Sequence, residues 1–178
     1  MGTGLERLLE KHKTAILKNW FESAIQAYAP DMALFISGKK DPFANPVGST
    51  TLKGLEVLLD QLIADMDRQI ITSYLDPIIR IRAVQDFTPS QATAFILLLK
   101  KILRHRFADE LRDHQLAGEL VLLEAKIDQL CLMAFDIYMA CREKIYEIKA
   151  AETRNRTFRA FERAGLITDT LDEKPGLK

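Results

Sequence analysis

The three histidines, His12, His105 and His114, are the residues whose spacing tests metal chemistry most directly. A di-iron centre in a helical bundle needs Glu-x-x-His motifs, which place both ligands on one helix face. The positions that the glutamates would occupy hold leucine, isoleucine and leucine. Zinc sites need closely spaced cysteines or histidines, and the sequence has no such pair. We therefore interpret His105 and Asp109, which share a helix face, as a solvated pair and predict no metal.

The two cysteines, Cys131 and Cys141, lie ten residues apart in one apolar helical pattern. A rigid helix separates them by about 15 Å along its axis, which is beyond the reach of a disulfide. Neither has a histidine nearby in the sequence to activate a thiolate, and no Gly-x-Ser-x-Gly turn presents a serine nucleophile. The sequence thus indicates a protein that is not an enzyme and has no cofactor.

Two basic features remain as candidates for binding an anion, a ligand or a partner. Arg80 and Arg82 lie in the short apolar segment IIRIRAVQDF, where an arginine more often pairs inside the protein than clamps a ligand. We expect Asp86 to be that partner. Lys100 and Arg104 lie in KKILRHR, on the side of a helix opposite its apolar residues. The simpler interpretation is a solvated amphipathic face, and contact with an anion or a partner is the alternative.

The composition is that of a water-soluble globular protein: of 178 residues, 48% are hydrophobic and 28% are charged. Basic and acidic residues are equal at 25 each, so no net field favours nucleic acid or an anionic membrane. The longest nearly apolar stretch, residues 130–141, is too short to cross a bilayer, and the charged start does not resemble a signal peptide. We predict a cytoplasmic protein with one domain over residues 1–164 and a disordered tail over residues 165–178.

Apolar residues recur at helical spacing along most of the chain, and no segment carries a convincing strand pattern, so an all-α fold is predicted. The predicted helices cover residues 5–28, about 50–66, 76–86, 89 onward and 116–164, with a further turn at 32–36. Ser49 or Thr50 is expected to cap the second helix, and Pro77 to lie in the first turn of the third. Phe43 is expected to pin the loop GKKDPFANPVGST to the core.

The segment Thr88-Pro89-Ser90-Gln91 carries the sharpest local signal of the sequence. Threonine suits the helix cap, proline suits the first helical position, and glutamine can reach back to complete a capping box. A helix is therefore predicted to begin at Pro89.

The last predicted helix is exceptionally long and lacks proline throughout. An apolar stripe at nearly heptad spacing follows it through Ile127, Ile137, Cys141, Ile145 and Ile148. After this stripe the helix-forming residues persist while the apolar ones thin out. We expect this end to extend beyond the core, with the stripe as the interface of a homodimer.

Four segments of the sequence are similar to the RsbRD amino-terminal domain family, the sensory modules of RsbT co-antagonists. They are LLEKHKTAILKNWF, KDPFANPVG, IIRIRAVQDFTPSQA and MAFDIYMACREKIYEIKAAE. The resemblance covers about residues 5–163. It implies a globin-like helical bundle without haem, a dimer, and a sensory role in a bacterial stress response. It also implies an output partner that is a STAS domain or a kinase, although no STAS domain follows Ala164 in this sequence.

The histidines also bear on the globin-like fold. A globin binds its haem iron through a histidine of the helix before the last two long ones. That segment is residues 76–86 here, and no histidine occurs between His12 and His105. The sequence thus excludes haem on the usual ligand, and a tetrapyrrole on Met66 or Tyr74 is a remaining alternative. Another is an adaptor or accessory subunit of an anaerobic redox complex, and a third is a binder of an unidentified small molecule.

Overall fold

The computed structural model describes residues 3–38 and 44–166. Within these ranges the chain forms six α-helices and one short 3-10 helix, with no strand. The elements are α1 (Gly4–Ile25), α2 (Pro30–Gly38), α3 (Pro46–Ile63), α4 (Arg68–Val84), α5 (Pro89–Arg106), the 3-10 helix Glu110–Arg112 and α6 (His114–Arg163). The predicted all-α class and the long last helix are confirmed. In the described part of the chain, no helix is both long and apolar enough to cross a membrane.

Contacts divide the chain into two units, Met1–Cys141 and Arg142–Lys178. The first unit contains α1 to α5 and the first part of α6, and the second contains the remainder of α6. A single domain over residues 1–164 stays a prediction. The predicted disordered tail lies outside the described residues from 167 onward, as does Phe43.

The core of the first unit is built from one face of each of its longer helices. Trp20 of α1 is fully buried, and its indole Nε1 donates a hydrogen bond to the carbonyl of Phe95 at 2.8 Å. The two rings also pack with their centroids 6.5 Å apart. Because a buried indole N–H needs an acceptor, this bond fixes how α1 packs on α5.

Helix α4 begins eight residues earlier than predicted, at Arg68 rather than at Asp76. Asp67 caps it by accepting hydrogen bonds from the backbone of Gln69 and Ile70. Pro77 therefore lies inside the helix. An internal proline normally breaks a helix, but here the buried side chains continue at helical spacing on both sides of it, and their burial offsets the lost hydrogen bond.

Helix α3 begins at Pro46, and its cap is Asn45 rather than Ser49 or Thr50. The Asn45 side chain accepts from the Gly48 amide at 2.9 Å and donates to the Ile36 carbonyl at 2.6 Å. A β-carbon on Gly48 would lie 2.3 Å from the Asn45 amide nitrogen, so the glycine makes room for the cap. Asn45 of the segment ANPVG thus links the end of α2 to the start of α3 by hydrogen bonds.

Helix α5 begins as predicted, with both hydrogen bonds of the capping box formed. The Gln91 amide donates to the Thr88 hydroxyl oxygen at 3.3 Å, and the Thr88 amide donates to Oε1 of Gln91 at 3.0 Å. Asp86, which lies between the end of α4 and the capping residue Thr88, has a left-handed backbone (φ 59°). Aspartate tolerates that conformation better than most residues, so the chain can reverse between α4 and α5 without a glycine.

Replacing Thr88 by alanine removes one of the two capping bonds. We expect the free energy of unfolding to fall by about 1 kcal/mol, as for other lost helix caps. Urea denaturation followed by circular dichroism measures this change. Ser73→Ala is a suitable control, because its exposed hydroxyl bonds only within its own helix, to the Ile70 carbonyl. Equal stability of the two variants would show that the capping box contributes nothing.

Candidate functional site

Arg82 of α4 is charged and fully buried. Its Nη2 donates to the Ala24 carbonyl at 2.8 Å, and its Nη1 contacts the carbonyls of Ala92 and Gln91 at 3.3 and 3.4 Å. These carbonyls belong to the last turn of α1 and the first turns of α5. One side chain therefore ties three helices together through backbone carbonyls, and the pair with Asp86 stays a prediction.

Three aromatic rings surround the Arg82 guanidinium. Its central carbon lies 4.3 Å from the ring centroid of Phe95, 5.4 Å from that of Tyr28 and 5.6 Å from that of Phe87. Cation–π attraction over these rings partly replaces lost hydration. Burial nevertheless lowers the pKa of Arg82, and it raises the pKa of Tyr28. The Arg82 Nε has no hydrogen-bond partner among the described residues.

The turn between α4 and α5 also contacts the first part of α6. The Tyr138 hydroxyl of α6 donates a hydrogen bond to the carbonyl of Phe87. The Phe87 ring meets the Tyr28 ring edge-on, with centroids 5.0 Å apart. We call Tyr28, Arg82, Phe87 and Tyr138 the turn cluster. It connects the turn after α1, helix α4 and the α4–α5 turn to α6, which it meets three residues before the first unit ends.

Arg80 lies in a different environment from Arg82, because its side chain is exposed and forms an ion pair with Asp76. Its Nη2 and Nε donate to the two carboxylate oxygens of Asp76 at 2.8 and 3.1 Å. This bond raises the pKa of Arg80. The two arginines that sequence analysis grouped together therefore do not form one site.

Lys100 and Arg104 connect α5 to α6. The Lys100 ammonium lies 2.6 Å from Asp128, and the Arg104 guanidinium donates two bonds of 2.6 Å to Glu124. These pairs run antiparallel along the two helices, and Glu124 is buried. The basic face is thus partnered within the chain rather than only solvated. That any of these cations also binds an anion or a partner stays a prediction.

The stripe predicted as a dimer interface has two environments. Ile127 and Cys141 are buried in the core of the first unit, and Ile137 packs against that core. Ile145 is half-buried and Ile148 is exposed. Ile127 and Cys141 are therefore unavailable to a partner, because the first part of the stripe faces the chain's own core. Contact of the others with a partner stays a prediction.

A second apolar stripe on α6 was missed by sequence analysis. Its members are Val121, Leu132, Phe135 and Met139, which are 58%, 66%, 43% and 38% exposed. With Ala125 and Asp128 between them, their positions follow alternating steps of four and three residues. We call these four residues the outer stripe. The spacing was visible in the sequence, but which stripe faces the core was not.

One family model matches the chain, that of the RsbT co-antagonist protein rsbRD N-terminal domain, over residues 14–153. No curated protein and no solved structure matches it. The matched range includes α3 to α5, the whole turn cluster and the outer stripe. Domains of this family are regulatory modules of stress signalling. This chain belongs to the RsbT co-antagonist rsbRD N-terminal domain family.

Proposed function

We propose that this chain is a non-catalytic sensory domain of a cytoplasmic bacterial stress pathway, which works as a homodimer and passes its state along α6. The observation that carries the proposal is the bond from Tyr138 to the α4–α5 turn. Helix α6 continues past that bond to Arg163, and most side chains between Arg142 and Leu166 are exposed. A helix held at one end by a core and exposed at the other suits an output element.

The output partner is proposed from the family resemblance to be a STAS domain or a kinase. The exposed second unit supports this, because it leaves side chains of α6 accessible to such a protein. The fold is proposed to be globin-like and haemless on the same basis. Met66, one of the alternative axial ligands, lies in the turn between α3 and α4, and Tyr74 lies within α4.

The outer stripe supports the homodimer. A soluble chain rarely leaves several large apolar side chains exposed in one row unless they contact a partner. Alternating steps of four and three residues keep such a row on one side of a helix, as pairing between helices requires. A second copy offers the same row, so a twofold axis beside Leu132 and Phe135 would bury both.

The Tyr138→Phe variant tests transmission. It removes the donor to the Phe87 carbonyl, and we expect a loss of about 1 kcal/mol in stability. If the turn cluster holds α6, hydrogen–deuterium exchange will rise in peptides of α6 on both sides of Cys141. Exchange measured by mass spectrometry on the intact protein reports this directly.

Tyr146→Phe is the matched control, since Tyr146 is also on α6 but bonds only locally in the second unit, accepting from Arg142 at 2.9 Å. We expect no change in exchange at the α4–α5 turn for this variant. Faster exchange in Tyr138→Phe that stays within the α4–α5 turn and does not extend along α6 would contradict the proposed transmission.

A further inference from the structure

A cleft of about 200 Å³ lies in the first unit between the start of α1, the end of α3 and α6. Its apolar lining includes Leu5, Leu9, Leu62 and Leu123, all of which belong to the core. Leu122 lines the cleft from α6 and is 70% exposed. The cleft therefore borders buried core side chains and opens at an apolar edge.

The charged side chains at this cleft are already bonded to helix ends. Glu119 accepts from the Leu5 amide at 2.7 Å, and Glu6 accepts from the Thr3 amide at 2.8 Å. Lys126 donates to the carbonyls at the end of α3, to Leu62 at 3.1 Å and to Ala64 at 2.7 Å. These bonds satisfy backbone groups that a helix leaves unpaired at its ends.

This arrangement disfavours a charged ligand. An ion of either sign would have to compete with these existing bonds for its counter-charge, and it would lose hydration on entering an apolar lining. A neutral molecule avoids both costs. Its size follows from the volume, since an apolar cavity of about 150 Å³ accommodates benzene.

We propose that this cleft binds a compact, uncharged, apolar molecule of one or two rings. This proposal goes beyond the proposed homodimer and output partner, and binding of the molecule at the cleft requires neither of them. Because its walls come from three helices, a molecule bound there fills the space between α6 and the α1 and α3 ends. Binding thereby stabilises the position of α6 in which the walls from all three helices contact the molecule.

Three probes of similar size and different charge test the site: benzyl alcohol, benzoate and benzylamine. Each is titrated into the full chain with methyl-labelled leucines, followed by NMR. We expect saturable shifts for benzyl alcohol, confined to leucines of the cleft, and affinities about tenfold weaker for the two ions. Shifts that never saturate mean binding at high concentration only and overturn the proposal, as do equal affinities for all three probes.

Leu122→Gln removes the apolar edge without disturbing the core, because this side chain is largely exposed. It is expected to weaken benzyl alcohol binding about fivefold or more, since less apolar area is buried. Leu34→Gln, on α2 and outside the cleft, is the control and leaves the affinity unchanged, because Leu34 is as exposed as Leu122. An unchanged affinity in Leu122→Gln, or a weaker one in Leu34→Gln, places the molecule elsewhere and overturns the assignment.

Discussion

The Arg82→Ala variant is expected to lose about 2–5 kcal/mol of unfolding free energy, the range for truncating a large buried side chain. The truncation leaves a void among Tyr28, Phe87 and Phe95, whose rings face the guanidinium. It also leaves the Ala24 carbonyl, in the last turn of α1, without its donor. Both effects act where three helices meet, so few neighbouring side chains can move in to compensate. Urea unfolding followed by circular dichroism measures the loss.

Arg80→Ala is the matched control from the same helix. Its exposed pair with Asp76 is of a kind that contributes at most about 0.5 kcal/mol. Arg82→Met separates the two effects at Arg82, because it restores much of the volume without any hydrogen bond. A methionine variant as stable as the wild type would contradict the role assigned to the carbonyl bonds.

Replacing Leu132 by glutamate is expected to raise the dimer dissociation constant by about 100-fold or more, which corresponds to about 2.7 kcal/mol. A twofold interface contains each substitution twice, so two carboxylates would be placed in an apolar contact. The fold itself should be unaffected, since Leu132 is exposed in the single chain. Sedimentation velocity over a range of concentrations measures the shift.

Leu34→Glu provides the control, because Leu34 is equally exposed but lies on α2, away from the outer stripe. Replacing Ile137 would be a poorer test of the dimer. Its side chain packs against the core of its own chain, so a charge there would destabilise the fold with or without a partner. Dissociation by Leu34→Glu and not by Leu132→Glu would place the interface elsewhere.

Local signals in the sequence were sufficient for part of the fold. The capping box of Thr88 and Gln91 depends on residues three apart, and it formed as predicted. The predicted start of α4 is wrong because a proline is typical of a first helical turn, whereas buried side chains on both sides of Pro77 stabilise a helix that continues through it. The presence of a helix was thus easier to predict than its first residue.

Contacts distant in sequence could not be predicted. The carbonyl of Ala24 that accepts from Arg82 is 58 residues away, and no local pattern links the two. Likewise, α6 carries two apolar stripes, and only packing against the other helices shows that the one with Ile127 is internal. The heptad spacing that suggested an interface was real, but the outer stripe has it as well.

The oligomeric state of the unmodified chain is the most direct test of the account. Native mass spectrometry of gently purified protein is expected to give a species at twice the 20.3 kDa mass of one chain. A dimer of that mass would support regulation through paired α6 helices. A single-chain mass at every concentration examined would contradict it, because the outer stripe would then have no second copy to contact.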